Sequence, residues 1–151
     1  MSNSKKLHFH QRCIDLLEDR IAVLVQAIKE AQEAATGDTK SSAGDKFETT
    51  REMLKQEMDK NSDQLSKSTE MLNRLRQIDP LFKNDHIGYG SLVNTNEGTY
   101  YFSVSLGKIQ MDGPPHFALS MTSPIGKALI NRKKGDEVVF MGRKIKIISI
   151  I

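Results

Sequence analysis

The sequence predicts an α+β fold: an N-terminal antiparallel coiled-coil hairpin, then a β-rich domain with one short helix. Three observations predict it. All four prolines (Pro80, Pro114, Pro115, Pro124) lie at or after residue 80, and of ten glycines only Gly37 and Gly44 come earlier. A half that excludes helix breakers, followed by a half that uses them freely, has two architectures. The third observation is the change of apolar pattern, from heptad-like spacing in the first half to short β-branched and aromatic runs in the second.

The first helix is read from Leu7, Ile14, Leu17, Ile21, Leu24, Ile28, Ala31 and Ala35. From Ile14 onward the steps alternate between three and four residues, which keeps one stripe facing a partner helix. His10 fills the seam position between Leu7 and Ile14. The second helix carries Phe47, Leu54, Met58, Leu65, Leu72 and Leu75, with Arg51, Asn61 and Ser68 at polar seam positions. Polar seam residues weaken packing and fix register. Between the seams, Thr36 to Gly44 is small, polar and glycine-bearing, so it reads as a turn. Two helices joined by a short turn pack antiparallel. At ~1.5 Å per residue, ~30 residues give an arm of ~45 Å. Asp79-Pro80 closes the second helix, because the residue before proline disfavours the α region. The expected organisation is therefore a hairpin over 1–79, with its tip near 36–48, and a second domain over 80–151.

In that second domain, Ile87–Val93 and Thr99–Leu106 read as strands, joined by a hairpin loop at Asn94–Gly98. Lys108–Met111 and His116–Met121 are further strands, separated by the turn Asp112-Gly113-Pro114-Pro115. Ser123 is the expected N-cap and Pro124 the first residue of a short helix ending near Asn131. Val138–Phe140 and Ile145–Ile148 form a closing hairpin across Gly142. The sum is a sheet of about five or six strands with one helix against it.

Composition excludes several functions. The chain has 151 residues, 38% hydrophobic and 6% aromatic, with no Trp. Its apolar runs fall far short of the ~20 residues that cross a bilayer, and Met1–His10 has no secretory h-region. A cytoplasmic setting without membrane attachment is expected. The single Cys13 excludes an internal disulfide or a multi-cysteine zinc site. His8, His10, His86 and His116 are too scattered for a metal motif, and Gly126-Lys127 lacks P-loop spacing. No nucleophile stands in a catalytic constellation, so no enzyme of its own is expected.

Charge is divided unequally. Residues 1–79 carry 13 Lys+Arg against 14 Asp+Glu, and residues 80–151 carry 9 against 5. Lys127, Arg132, Lys133, Lys134, Arg143, Lys144 and Lys146 concentrate the excess, with Lys144 and Lys146 alternating against Ile145 and Ile147 on a half-buried strand. Such a cluster is either a solvated face or a patch for an acidic partner or a nucleic-acid backbone.

The sharpest feature is the hairpin tip. Asp38, Asp45 and Glu48 cluster there with Lys40, Ser41 and Ser42. Ser42-x-x-Asp45 fits a capping box variant, which explains Asp45 by helix physics. Asp38 precedes the second helix and has no such explanation. A carboxylate at the end of a long arm can be delivered into another protein's channel. There it can complete the shell of a hard cation such as Mg²⁺.

An acidic-tipped hairpin, a proline boundary and a small β-rich domain resemble the bacterial Gre transcript-cleavage factors. The strongest local match is Ser123-Pro124-Ile125-Gly126-Lys127-Ala128-Leu129-Ile130, then Lys134-Gly135-Asp136-Glu137-Val138, with Lys146–Ile150 near the end. The resemblance implies an FKBP-like second domain that docks at the rim of RNA polymerase's secondary channel, through the Ser123, Pro124, Ile125 and Gly126 region. It implies that the tip reaches the polymerase active centre, with Asp38 as a ligand to a Mg²⁺ shared with the polymerase. Backtracked RNA would then be cleaved near its 3′ end by the polymerase itself, and the factor would hold no cofactor stably. The resemblance does not imply prolyl isomerase activity.

Gre tips read Gly-Asp-Leu-Lys-Glu-Asn-Ala-Glu-Tyr. Gly37-Asp38-Thr39-Lys40 is similar to the opening, while Ser41 stands where the second carboxylate falls. Two further readings follow. One is a secondary-channel regulator that does not stimulate cleavage. The other is a coiled-coil adaptor, unrelated to transcription, that pairs its seams between chains. An intramolecular hairpin predicts a monomer instead.

Overall fold

The computed structural model describes the backbone at residues 2–38 and 44–151, and side chains at 4–36 and 49–151. Helix α1 spans Ser2–Asp38 and helix α2 spans Gly44–Arg76. Both exceed the lengths read from the turn signals at one end. α1 continues through Thr36, whose hydroxyl donates to the Gln32 carbonyl at 2.9 Å, satisfying the side chain within the helix. α2 stops at Arg76 rather than at Asp79. Gln77 and Ile78 donate to Arg74 and Leu75 in tighter i→i−3 bonds, and Asp79 then builds a turn with Leu81 and Phe82.

Residues Leu16–Leu72 form one compact unit. Within it the predicted seam is where burial occurs: Leu17, Leu24 and Ala31 on α1, Ser68 and Leu72 on α2. Leu54, Met58, Asn61 and Leu65 are half-buried on the same α2 stripe, while Arg51 is exposed.

The other unit joins Met1–Asp15 to Asn73–Ile151. The compact units thus divide after residues 15 and 72, not at the expected boundary of 79/80, because the helix roots are part of the second core. That core is built on a six-stranded mixed sheet of β1 (Leu92–Thr95), β2 (Gly98–Phe102), β3 (Gly107–Ile109), β4 (His116–Leu119), β5 (Glu137–Phe140) and β6 (Arg143–Ile150). The strand order is β3-β4-β2-β1-β6-β5, with β2 and β4 parallel and the other pairs antiparallel.

Four strands are shorter than read, β4 ending at Leu119 rather than at Met121. β1 starts at Leu92, since Gly90 has φ 89° and bends the chain. Ile87 instead exchanges backbone bonds with Asn131 and Arg132. β2 ends at Phe102, and β3 spans just three residues after Gly107 at φ 72°. The β1–β2 connection tightens to Asn96-Glu97, because pairing persists to Thr95 opposite Gly98. The β5–β6 hairpin turns on Met141 (φ 49°) and Gly142 (φ 77°), the two positive angles that a two-residue hairpin needs.

One face of the sheet packs against α3 (Pro124–Leu129). Its core is Ile87, Val93, Tyr100, Phe102, Leu129, Val138, Ile145 and Ile147. The opposite face receives the first turns of α1.

Candidate functional site

The root of α1 enters the second domain through Lys6, Phe9, His10 and Cys13, all buried. Their spacing of three, one and three is a helical stripe. Phe9 packs edge-on to Tyr101, with ring centroids 5.4 Å apart, and lies 5.5 Å from the His116 ring. His10 Nδ1 lies 2.7 Å from the Tyr101 hydroxyl. Burial, with Lys6 nearby, pushes the His10 pKa down, and burial pushes Tyr101 up. Burial also raises the Cys13 thiol to about 12, so it stays protonated and unreactive.

Lys6 ties three segments together. Its Nζ donates to the Phe82 carbonyl at 2.7 Å and to the Ile151 carbonyl at 3.2 Å. Burial lowers its pKa to about 8, and Asp79 works in the opposite direction. Sequence reasoning missed this joint. It placed Leu7 on the seam, whereas Leu7 is 45% exposed and Lys6 is 1% exposed. The 6-9-10-13 stripe was present in the sequence, hidden because Lys and His count as polar.

The second candidate site is the predicted cap. Ser123 Oγ accepts from the Gly126 N–H at 3.0 Å and donates to the Ser120 carbonyl at 2.6 Å. Thus one hydroxyl satisfies an orphan helix donor and pins the incoming loop. Pro124 occupies the first turn, exposed, where its missing N–H costs nothing. Gly126 is required: a Cβ there would collide with the Ser120 carbonyl oxygen and sit 2.9 Å from that of Met121. Ile125 is half-buried and lines a cavity of about 260 Å³ with Tyr100, Phe140, Met141 and Ile145. Arg143 and Glu97 form an ion pair at 3.9 Å among the same lining residues. Ser123, Pro124, Ile125 and Gly126 are therefore brought into one locked turn beside an apolar recess.

The tip residues Asp38, Lys40, Ser41, Ser42, Asp45 and Glu48 lie outside the residues whose side chains are described. Among the described residues no group of three or more His, Cys, Asp or Glu could hold a metal ion. No described helix is long and apolar enough to cross a membrane. Of the basic cluster, Arg132, Lys133, Lys134, Arg143, Lys144 and Lys146 are all exposed, as the strand alternation predicts for the last two.

No family model matches the chain, and no curated protein matches it. Among solved structures, it is similar to one described as "Structure of the transcription factor Gfh1", at 23% identity over 93% of this chain and 92% of that one, with a TM-score of 0.34. A likeness at that level carries no argument about function.

Proposed function

We propose that the protein is a transcription elongation factor of the Gre type, which binds bacterial RNA polymerase at its secondary channel. The observation that carries this reading is the Ser123–Gly126 turn. The segment most similar to the Gre pattern is the locked, capped first turn of α3, with Pro124 exposed, Gly126 sterically obligatory and Ile125 at an apolar recess. A fixed turn of this kind beside an apolar recess suits docking, because it loses little freedom on binding. The two-helix unit and the mixed-sheet unit supply the two parts such a factor needs.

In this account the second domain docks and the hairpin tip acts. Asp38 supplies a carboxylate oxygen to a Mg²⁺ that the polymerase holds, and the polymerase performs any RNA cleavage. The factor is an accessory protein of the cytoplasm, not an enzyme. Ser41 favours a second form of the same reading, in which the channel is occupied without stimulation of cleavage. A serine hydroxyl is a weaker Mg²⁺ ligand than a carboxylate, and docking does not depend on it.

The docking step is tested with fluorescently labelled protein titrated with purified core RNA polymerase. Saturable binding is expected, and Pro124→Asp should weaken it without lowering the melting temperature. Absence of binding by the wild type would remove the polymerase reading and favour the adaptor alternative.

A further inference from the structure

The sheet face opposite α3 is divided. Over β1, β2 and β4 it is covered by the root of α1, through Phe9 and His10 on Tyr101 and His116. At the margin of that cover, Lys5 Nζ donates to Asn94 Oδ1 at 3.2 Å, and Asn94 Nδ2 donates to Ser149 Oγ at 2.7 Å. Beyond Ser149, toward β5, the same face is open. A bulge opposite Asn94/Thr95 shifts the register, so that Ser149 and Lys146 share this face although they are three residues apart. Lys146 stands opposite Glu137, and Lys144 opposite Val139. All four are exposed, while Ile145, Ile147 and Val138 between them are buried on the other face.

The open area is cationic. Lys134 precedes Gly135, whose N–H donates to the Ile147 carbonyl, so the exposed Arg132-Lys133-Lys134 turn runs along the same strand end. The acids nearby are already engaged. Glu137 faces Lys144 at 3.8 Å, one Asp136 carboxylate oxygen accepts the Lys133 N–H at 2.9 Å, and Asp85 pairs with His86 at 2.7 Å. Lys5, Arg132, Lys133, Lys134, Lys144 and Lys146 together outnumber these three acids, so the area is net positive. Between the lysines the surface is apolar, since Val139 is 71% and Ile148 is 50% exposed.

We propose that this open half-face binds a single strand of RNA through its phosphates, without reading its sequence; the choice of RNA over DNA rests on the transcription reading above. Charge complementarity selects a polyanion. Lysines are point charges without the fork that recognises one carboxylate bidentately, so they suit a uniformly charged chain better than a specific acidic partner. The apolar floor selects a single strand, whose bases are free to lie on Val139 and Ile148, whereas a duplex hides its bases. The surface stands apart from the docking turn, because Ser123–Gly126 is the cap and first turn of α3, which packs on the opposite face.

The test is fluorescence anisotropy of a labelled oligouridylate with the full chain, across a salt series. Binding is expected at low salt. With three to five phosphate contacts, the slope of log affinity on log salt should be about −2 to −3.5. Lys144→Glu/Lys146→Glu should weaken binding by roughly tenfold or more. The charge-matched pair Lys83→Glu/Lys108→Glu, also exposed, should leave it within about twofold. Four results would overturn the proposal: no binding at low salt, equal losses in the two double variants, tighter binding of a blunt duplex, or equal affinity for labelled polyglutamate. The last would assign the face to an acidic protein.

Discussion

His10 of the first helix and Tyr101 of the second strand hold one another at 2.7 Å inside the core of the second domain. The pair ties a helix that begins the chain to a sheet 91 residues later. Both groups are buried, so neither finds water if the other is lost. Tyr101→Phe keeps the ring against Phe9 and removes the hydroxyl alone. It should cost about 1–3 kcal/mol by urea denaturation, the penalty of an unsatisfied buried polar group.

The same burial predicts acid sensitivity. His10 and His116 both have pKa values pushed below the ordinary 6.5, each chiefly by burial. Each is therefore neutral in the fold where the unfolded chain takes up a proton. The unfolded state binds more protons as pH falls through 6.5, so stability declines from there toward the lower folded-state values. Denaturation midpoints measured between pH 8 and pH 5 should fall on the acid side, and less so in His10→Gln.

At the alkaline end Lys6 sets the sign. Its folded pKa of about 8 lies below the unfolded 10.5. Above pH 8 the folded protein releases a proton that the unfolded chain keeps, so stability should rise. Cys13, raised to about 12, opposes this once the unfolded thiol begins to ionise near 9. The window for Lys6 is therefore pH 8–9, with a gain of about 1 kcal/mol. Calorimetry should find this rise in the wild type and lose it in Lys6→Met.

Gly126→Ala tests whether the Ser123–Gly126 turn, the proposed docking element, is fixed by sterics. The added Cβ would meet two backbone carbonyls rather than a side chain that could swing aside. The loop from Ser120 must move, breaking the Ser123 cap. A loss of about 1–3 kcal/mol is expected from strain and the lost cap. Binding of core polymerase should weaken with it. Full stability and full binding together would show the tight turn to be dispensable.

Most of this architecture was legible where one physical signal dominated. The α1 seam from Ile14 to Ala35 followed from its spacing, and the Ser123-Pro124 cap from two residue types with positional meaning. The Lys144/Lys146 alternation gave the outward face of β6. The failures came where non-local bonds competed with local pattern. Ile87 pairs with the 131–132 segment, so its apolar run does not open a strand. Lys6 is of a residue type that usually stays in solvent, yet two distant carbonyls hold it inside. The parallel pairing of β2 with β4 has no signature in the hairpin signals around it. Of the proposed working parts, the Ser123–Gly126 turn was visible as a motif; its apolar recess needed Tyr100, Phe140 and Ile145 from three strands.

The central claim is that the chain acts on RNA polymerase through its hairpin tip. The most direct measurement uses backtracked elongation complexes of the cognate polymerase with wild type and Asp38→Ala, following RNA 3′-end cleavage, resumption of elongation and binding together. The account predicts that both proteins bind equally, that the wild type alters the fate of the backtracked RNA, and that Asp38→Ala largely loses this effect. Failure of the wild type to bind, or an undiminished effect of Asp38→Ala, would contradict it.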